Sequence, residues 1–272
     1  MKKILIFVIS LFFVACATTR NADYTSKIPK RQTSAISGSE FIAKAQTLDA
    51  EQREELILQE ILKGNFPTFM RKLVAVQTSA MIDGKRVTAK YFVMPDYLMV
   101  GSDNDFVRVP MQPKTAQKIA SKFGFFLSTP KICDDVYNAA KIKLEPRPLT
   151  VARDSFRTFA EHHKIIENQR KNRKGLIAGI KKDVVITSAI SRNPKTNRVA
   201  IYGWHKLDGK PIQPVYTGHV DWYVDYSHGI RLVYQTIIVD GKPMNYKDVL
   251  NSKKLSLLLC NDEDCSYCEY PY

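Results

Sequence analysis

The sequence predicts an α+β protein, with N-terminal helices and a hairpin followed by a mainly antiparallel C-terminal sheet. Three observations carry this expectation. Apolar stripes at helical spacing are concentrated in the first two thirds of the chain, period-two alternation dominates residues 199–239, and Asp-Gly recurs at 83–84, 208–209 and 240–241, a pair suited to tight turns between strands. With 272 residues, of which 44% are hydrophobic and 25% charged, the chain has the composition of a globular protein, and disorder is expected only at its ends.

The first element is not structural. Lys2 and Lys3 precede an apolar run over residues 4–14, broken only by Ser10 and followed by Ala15-Cys16. That run is too short for a permanent membrane span and reads as a cleaved export signal over residues 1–15. A small residue before a cysteine at its end resembles the lipobox of bacterial lipoproteins, which makes Cys16 the lipidated first residue and the membrane a partner through that lipid. Residues 16–39, rich in Ser, Thr and Lys, read as a flexible tether. Residues 40–272 then form one α+β domain, with a subdomain seam placed at 146–150 by Pro146 and Pro148.

Within that domain, residues 50–63 carry a helical stripe capped by Asp49 with Gln52 three residues on. Residues 73–94 alternate about Asp83-Gly84 and read as a β-hairpin. Short strands follow at 97–100 and 106–109. Helices are expected at 114–123 and at 130–141, where Thr129 is a good N-cap and Pro130 suits the first helical position. A long helix is expected over 153–170, a strand near 183–190, strands at 199–206 and 232–239, and a short helix at 246–251.

Net charge is +14, and residues 164–182 concentrate it: Lys164, Arg170, Lys171, Arg173, Lys174, Lys181 and Lys182 face a single Glu167. In an exported protein this points to anionic envelope polymers, with no nucleic acid expected, although a solvated helix end and loop would look the same. The cysteines left after Cys16 are Cys133, Cys260, Cys265 and Cys268. Export favours disulfides among them, and four allow three pairings.

Chemistry-bearing residues cluster at 201–233, which hold both tryptophans and three of the five histidines. Read as one extended stretch, residues 219–233 place His219, Asp221, Asp225, Ser227 and Arg231 on one face and Trp222 and His228 on the other. A half-buried strand with a polar outer face would give the same pattern. His219, Asp221 and His228 are also a plausible ligand set for zinc or another divalent metal. The candidate catalytic residues are therefore His205, His219, Asp221, Asp225, Ser227 and His228. Arg231, Trp204, Trp222, Lys181 and Lys182 are the candidate substrate binders.

The block GWH…DGKPIQP…HVDWYVDYSHGIRLV resembles a segment of exported bacterial proteins of uncharacterised role. The resemblance spans about residues 50–250 and implies no activity. Ser227-His228-Gly229 with Arg231 is similar to the Ser-His-Gly-Cys-x-Arg signature of L,D-transpeptidases, and residues 202–205 resemble their upstream histidine strand. The nucleophilic cysteine has no counterpart and the segment is one residue short, so only Ser227, His228, Gly229 and Arg231 carry over. The expected function is hydrolysis of peptidoglycan or a related peptide or glycan polymer at the cell envelope. The competing expectation is a non-catalytic envelope lipoprotein that binds an anionic polymer or glycan.

Overall fold

A computed structural model describes residues 24–271. The expected signal over 1–15, Cys16 and the first residues of the tether lie outside the described residues. The fold is α+β, and local sequence explains most of its element boundaries. Helix α1 (Gly38–Ala45) opens with a capping box of Ser37 and Glu40, and α2 (Ala50–Leu62) with one of Asp49 and Gln52. Each box satisfies two of the unpaired N–H groups at a helix start. Among the described residues no helix is long and apolar enough to cross a membrane.

The larger sheet is built on one central strand. Strands β1 (Val74–Ile82) and β2 (Lys85–Val93) pair antiparallel along their whole length, from Val74 opposite Val93 to Ile82 opposite Lys85. Asp83 and Gly84, at φ 50° and 74°, make the tight turn between them. Three more elements follow: the small hairpin β3 (Met99–Gly101) with β4 (Phe106–Arg108), helix α3 (Pro113–Phe123), and β5 (Phe125–Leu127).

Helix α4 (Pro130–Ala139), capped by Thr129, leads to β6 (Ile142–Lys143), and α5 (Phe156–Arg170), capped by Ser155, leads to β7 (Ile177–Ala178) and β8 (Lys182–Val184). The remaining strands are β9 (Arg198–His205), β10 (Pro211–Val220), β11 (His228–Gly229), β12 (Leu232–Tyr234), β13 (Thr236–Val239) and β14 (Lys242–Asn245), before α6 (Tyr246–Asn251). On its free side β2 meets β12 and β13, which carry β5 and β14 on their outer edges. A second sheet, in the order β10-β9-β8-β11, is antiparallel except for the parallel pair β8–β11.

Two expectations change, and two others gain detail. The tether does not extend to residue 39: Ile28 is buried, and the Arg31 guanidinium bonds Asn65 Oδ1 at 2.8 Å and the carbonyl of Ala35 at 2.7 Å. These contacts fix residues 28–37 against the domain. At the expected seam, Leu149 N–H donates to the Tyr226 hydroxyl at 2.5 Å, and that hydroxyl donates back to Leu149 O at 3.0 Å. Of the four cysteines, Cys260 and Cys265 form a disulfide, while Cys133 and Cys268 are buried thiols.

The second change bears on function. Residues 219–233 are not one extended stretch: β10 stops at Val220, residues 221–227 form turns, and two short strands follow. Asp225 supplies the reason, because its carboxylate takes both the N–H and the hydroxyl of Ser227 at 2.7 Å. A short acidic side chain that captures its own backbone two residues on competes with a strand ladder.

Candidate functional site

The turn brings together residues that an extended strand would have separated. His219, at the end of β10, and His228, on β11, lie with ring centroids 6.2 Å apart. Tyr223 fills the angle between them, 4.7 Å from His219 and 6.1 Å from His228. Beneath sits Asp225, fully buried, holding Ser227, with the Tyr223 hydroxyl 3.5 Å from its second oxygen. That oxygen is ion-paired with Arg153, which immediately precedes the N-terminus of α5. His228 N–H bonds Asp225 O at 3.0 Å, and Lys182 N–H bonds Ser227 O at 2.8 Å, so the turn is fastened to β8.

Gly229 is required where β11 passes β8. A Cβ there would lie 2.5 Å from the Tyr97 ring and 2.7 Å from Lys181 Cβ, closer than carbon atoms pack. The parallel pairing sets His228 opposite Lys182, and Lys182 stands 5.3 Å over the Trp204 ring.

Electrostatics makes both histidines neutral at pH 7. Burial drives His228 down to about 3, with Lys182, His219 and Lys181 adding to the shift and Asp225 opposing it. Its Nε2 is buried without a hydrogen-bond partner. His219, half exposed, is lowered by partial burial and then by Lys182, again against Asp225. Burial pushes the Asp225 carboxyl up, but His228, the two Ser227 bonds and Arg153 together hold it below its ordinary value. The arrangement therefore offers a neutral, accessible imidazole beside a fixed carboxylate and two cations, Arg153 and Lys182. Those are the parts of an acid–base site.

The other candidates fall elsewhere. Asp221 is buried and ion-paired with Lys114 at 3.0 Å, because β10 stops at Val220 and the turn that starts at Asp221 breaks the alternation that would have kept it beside His219. The His219–Asp221–His228 ligand set therefore does not assemble, and among the described residues no three His, Cys, Asp or Glu side chains are placed to hold a metal ion. Ser227 is fully buried with its hydroxyl donated to Asp225, which leaves it a positioning residue rather than a nucleophile.

Arg231 is 2% exposed, donates to Met94 O at 2.8 Å and Ile177 O at 2.6 Å, and lies 4.5 Å over the Tyr97 ring. It is a structural cation and not a substrate binder. Lys181 is buried too: its Nζ contacts Tyr226 O and His162 Nδ1, and burial followed by repulsion from Arg108 lowers it to about 7. Trp204 belongs to the core, at a φ of 56° unusual for a bulky residue, whereas Trp222 is 60% exposed and can meet a ligand.

His205 belongs to a different group. Its Nε2 is 2.7 Å from Asp134 Oδ1, its ring stacks on Tyr137, and the same Asp134 oxygen accepts from the Tyr202 hydroxyl at 2.8 Å. Deeper in, Asp183 accepts from the Tyr97 hydroxyl at 2.8 Å, and burial raises it to about 6 against the pull of Arg231. Beside it lies Cys133, whose thiol burial pushes well up, opposite to the shift that activates a thiol.

Two site residues escaped the sequence. Tyr223 stands within the cluster but carried no distinguishing signal beside its aromatic neighbours. Arg153 lies 72 residues from Asp225, and no local spacing connects them. Compared with known families, curated proteins and solved structures, the chain matches no family model, no curated protein and no solved structure.

Proposed function

We propose that this is an exported, lipid-anchored envelope protein that hydrolyses a peptide-bearing or glycan polymer such as peptidoglycan. The observation that carries this reading is His219: half exposed, held neutral, and in ring contact with Tyr223 and His228 above the Asp225–Arg153 pair. A neutral imidazole accepts a proton from water, whose oxygen then attacks the carbonyl or acetal carbon. For a carbonyl, the negative charge that develops on oxygen is met by Arg153 and Lys182. The protonated imidazole returns its proton to the leaving group as the bond breaks. His228, Tyr223, Asp225 and Ser227 position this assembly, and Trp222 offers a face for an apolar or sugar surface. Export and the lipid on Cys16 rest on the N-terminal sequence alone.

The test is release of soluble fragments from purified sacculi. Wild type releases them, and His219→Gln lowers the rate by about 100-fold or more, the scale of a lost general base. No release by wild type between about pH 5 and pH 9, where such groups titrate, sinks the reading. So does equal release by His219→Gln. One separate observation favours a non-catalytic, polymer-binding role instead: a cleft with cationic side chains at the far end of α5.

A further inference from the structure

That cleft encloses about 830 Å³, well within the range of ligand sites. One wall is the 3-10 turn Thr68–Arg71 with Lys72. Another is the end of α5 with the loop through Arg173, Lys174 and Gly175. Phe69 and Phe106, packed edge-on at 5.5 Å, contribute its apolar surface.

The charges in this cleft are not balanced. Its two carboxylates are already engaged. Glu167 is bound by Arg108 at 2.7 Å and by both Nε and Nη2 of Arg170, and Asp103 accepts from the Thr68 hydroxyl and from Phe69 N–H at 3.3 Å. The Lys72 and Lys174 ammonium groups, by contrast, have no protein partner among the described residues, and they reach the cleft from separate segments. Arg173 joins them, tied by its Nε to Arg170 O at 3.0 Å and by Nη2 to Gln169 O at 2.8 Å.

The loop that brings Arg173 and Lys174 to the cleft is held in costly backbone conformations. Lys171 and Asn172 sit at φ 51° and 58°, which costs about 1–3 kcal/mol per non-glycine residue in strained regions. Crossed bonds between Arg170 and Arg173 maintain it.

We propose that this cleft binds an anionic sugar unit, a saccharide ring bearing a carboxylate or phosphate. The oxyanion is held between Lys72 and Lys174, with the ring against Phe69. A bare inorganic anion would leave the aromatic wall unused, and a neutral sugar would draw no charge attraction from the two exposed, unpaired ammonium groups. The site lies at the opposite end of α5 from Arg153. A 15-residue helix spans about 22 Å, so the binding is independent of hydrolysis at His219.

Calorimetric titration of the purified full-length protein tests it with four probes: trigalacturonate for the carboxylate source, glucose 6-phosphate for the phosphate source, maltotriose, and inorganic phosphate. At least one of the first two binds. That affinity falls about fivefold in Lys72→Ala and in Lys174→Ala, more in the double variant, and falls with added salt. Lys242→Ala, exposed on β14, and His219→Gln leave it unchanged. Failure of both anionic sugars to bind overturns the assignment. Equal binding by maltotriose or by inorganic phosphate also overturns it, as does an unaffected double variant.

Discussion

The two ends of the segment 201–233 carry similar residues and have become different things. At the His205 end, histidine, carboxylates and a thiol are packed among Tyr137, Tyr202 and Tyr97, and His205, Asp134 and Asp183 each have a hydrogen-bond partner. At the His219 end the same residue types lie beside a half-open rim, and His228 Nε2 has no partner. Exposure and pairing separate scaffold from site here, because residue type does not. Arg231 and Arg153 show the same contrast: one is sealed between backbone carbonyls, the other reaches a buried carboxylate from the surface.

Substitutions break this comparison at different strengths. The largest loss of stability is expected for Arg231→Met, about 3–5 kcal/mol in chemical denaturation, because it leaves Asp183 without its cation and two carbonyls unpaired. A loss below about 1 kcal/mol would contradict a keystone role. Asp225→Asn keeps the shape of the turn and is expected to cost less stability than Arg231→Met, while it lowers sacculus hydrolysis more. The reverse order would make Asp225 a scaffold residue.

Acid stability sharpens the contrast further. His228 and His162 are held near 3 and 2 in the folded state, chiefly by burial, against about 6.5 unfolded. As pH falls below about 6.5, the unfolded chain takes up protons that the folded chain refuses. Stability therefore falls by about 1.4 kcal/mol per pH unit for each histidine. His228→Asn is expected to remove one of these contributions, and an unchanged slope would contradict the assignment. Lys181, near 7 when folded, works at the other end: stability rises with pH between about 7 and 10.5, where only the unfolded chain keeps that proton.

Smaller effects are expected at the surface and in the thiols. Cys133, 5% exposed, stays unreactive toward an aromatic disulfide reagent until the protein unfolds. Trp222→Ala changes stability by no more than about 0.5 kcal/mol while it weakens substrate binding.

Much of the fold was legible, because local rules decided it. Asp49 with Gln52, Thr129 with Pro130 and the Asp-Gly turns at 83–84 and 240–241 act within a few residues. The capping box at Ser37 and Glu40 was equally legible, yet it lay inside a stretch whose composition suggested a tether. The site was legible in its members but not in its grouping. Alternation placed Asp221 beside His219, but the Asp225–Ser227 bonds replaced the strand with a turn and brought in His228 and Tyr223 instead. Arg153 and Lys72 are joined to their sites only by the tertiary fold.

The most direct test of the central claim, a neutral imidazole above a locked carboxylate, is an NMR titration of the five histidine rings. His219 is expected to titrate below 6.5, to move lower still in Asp225→Asn, and to move higher in Lys182→Met, while His228 stays neutral until the protein unfolds. A His228 that titrates near 6.5, or a His219 indifferent to both substitutions, would contradict the account.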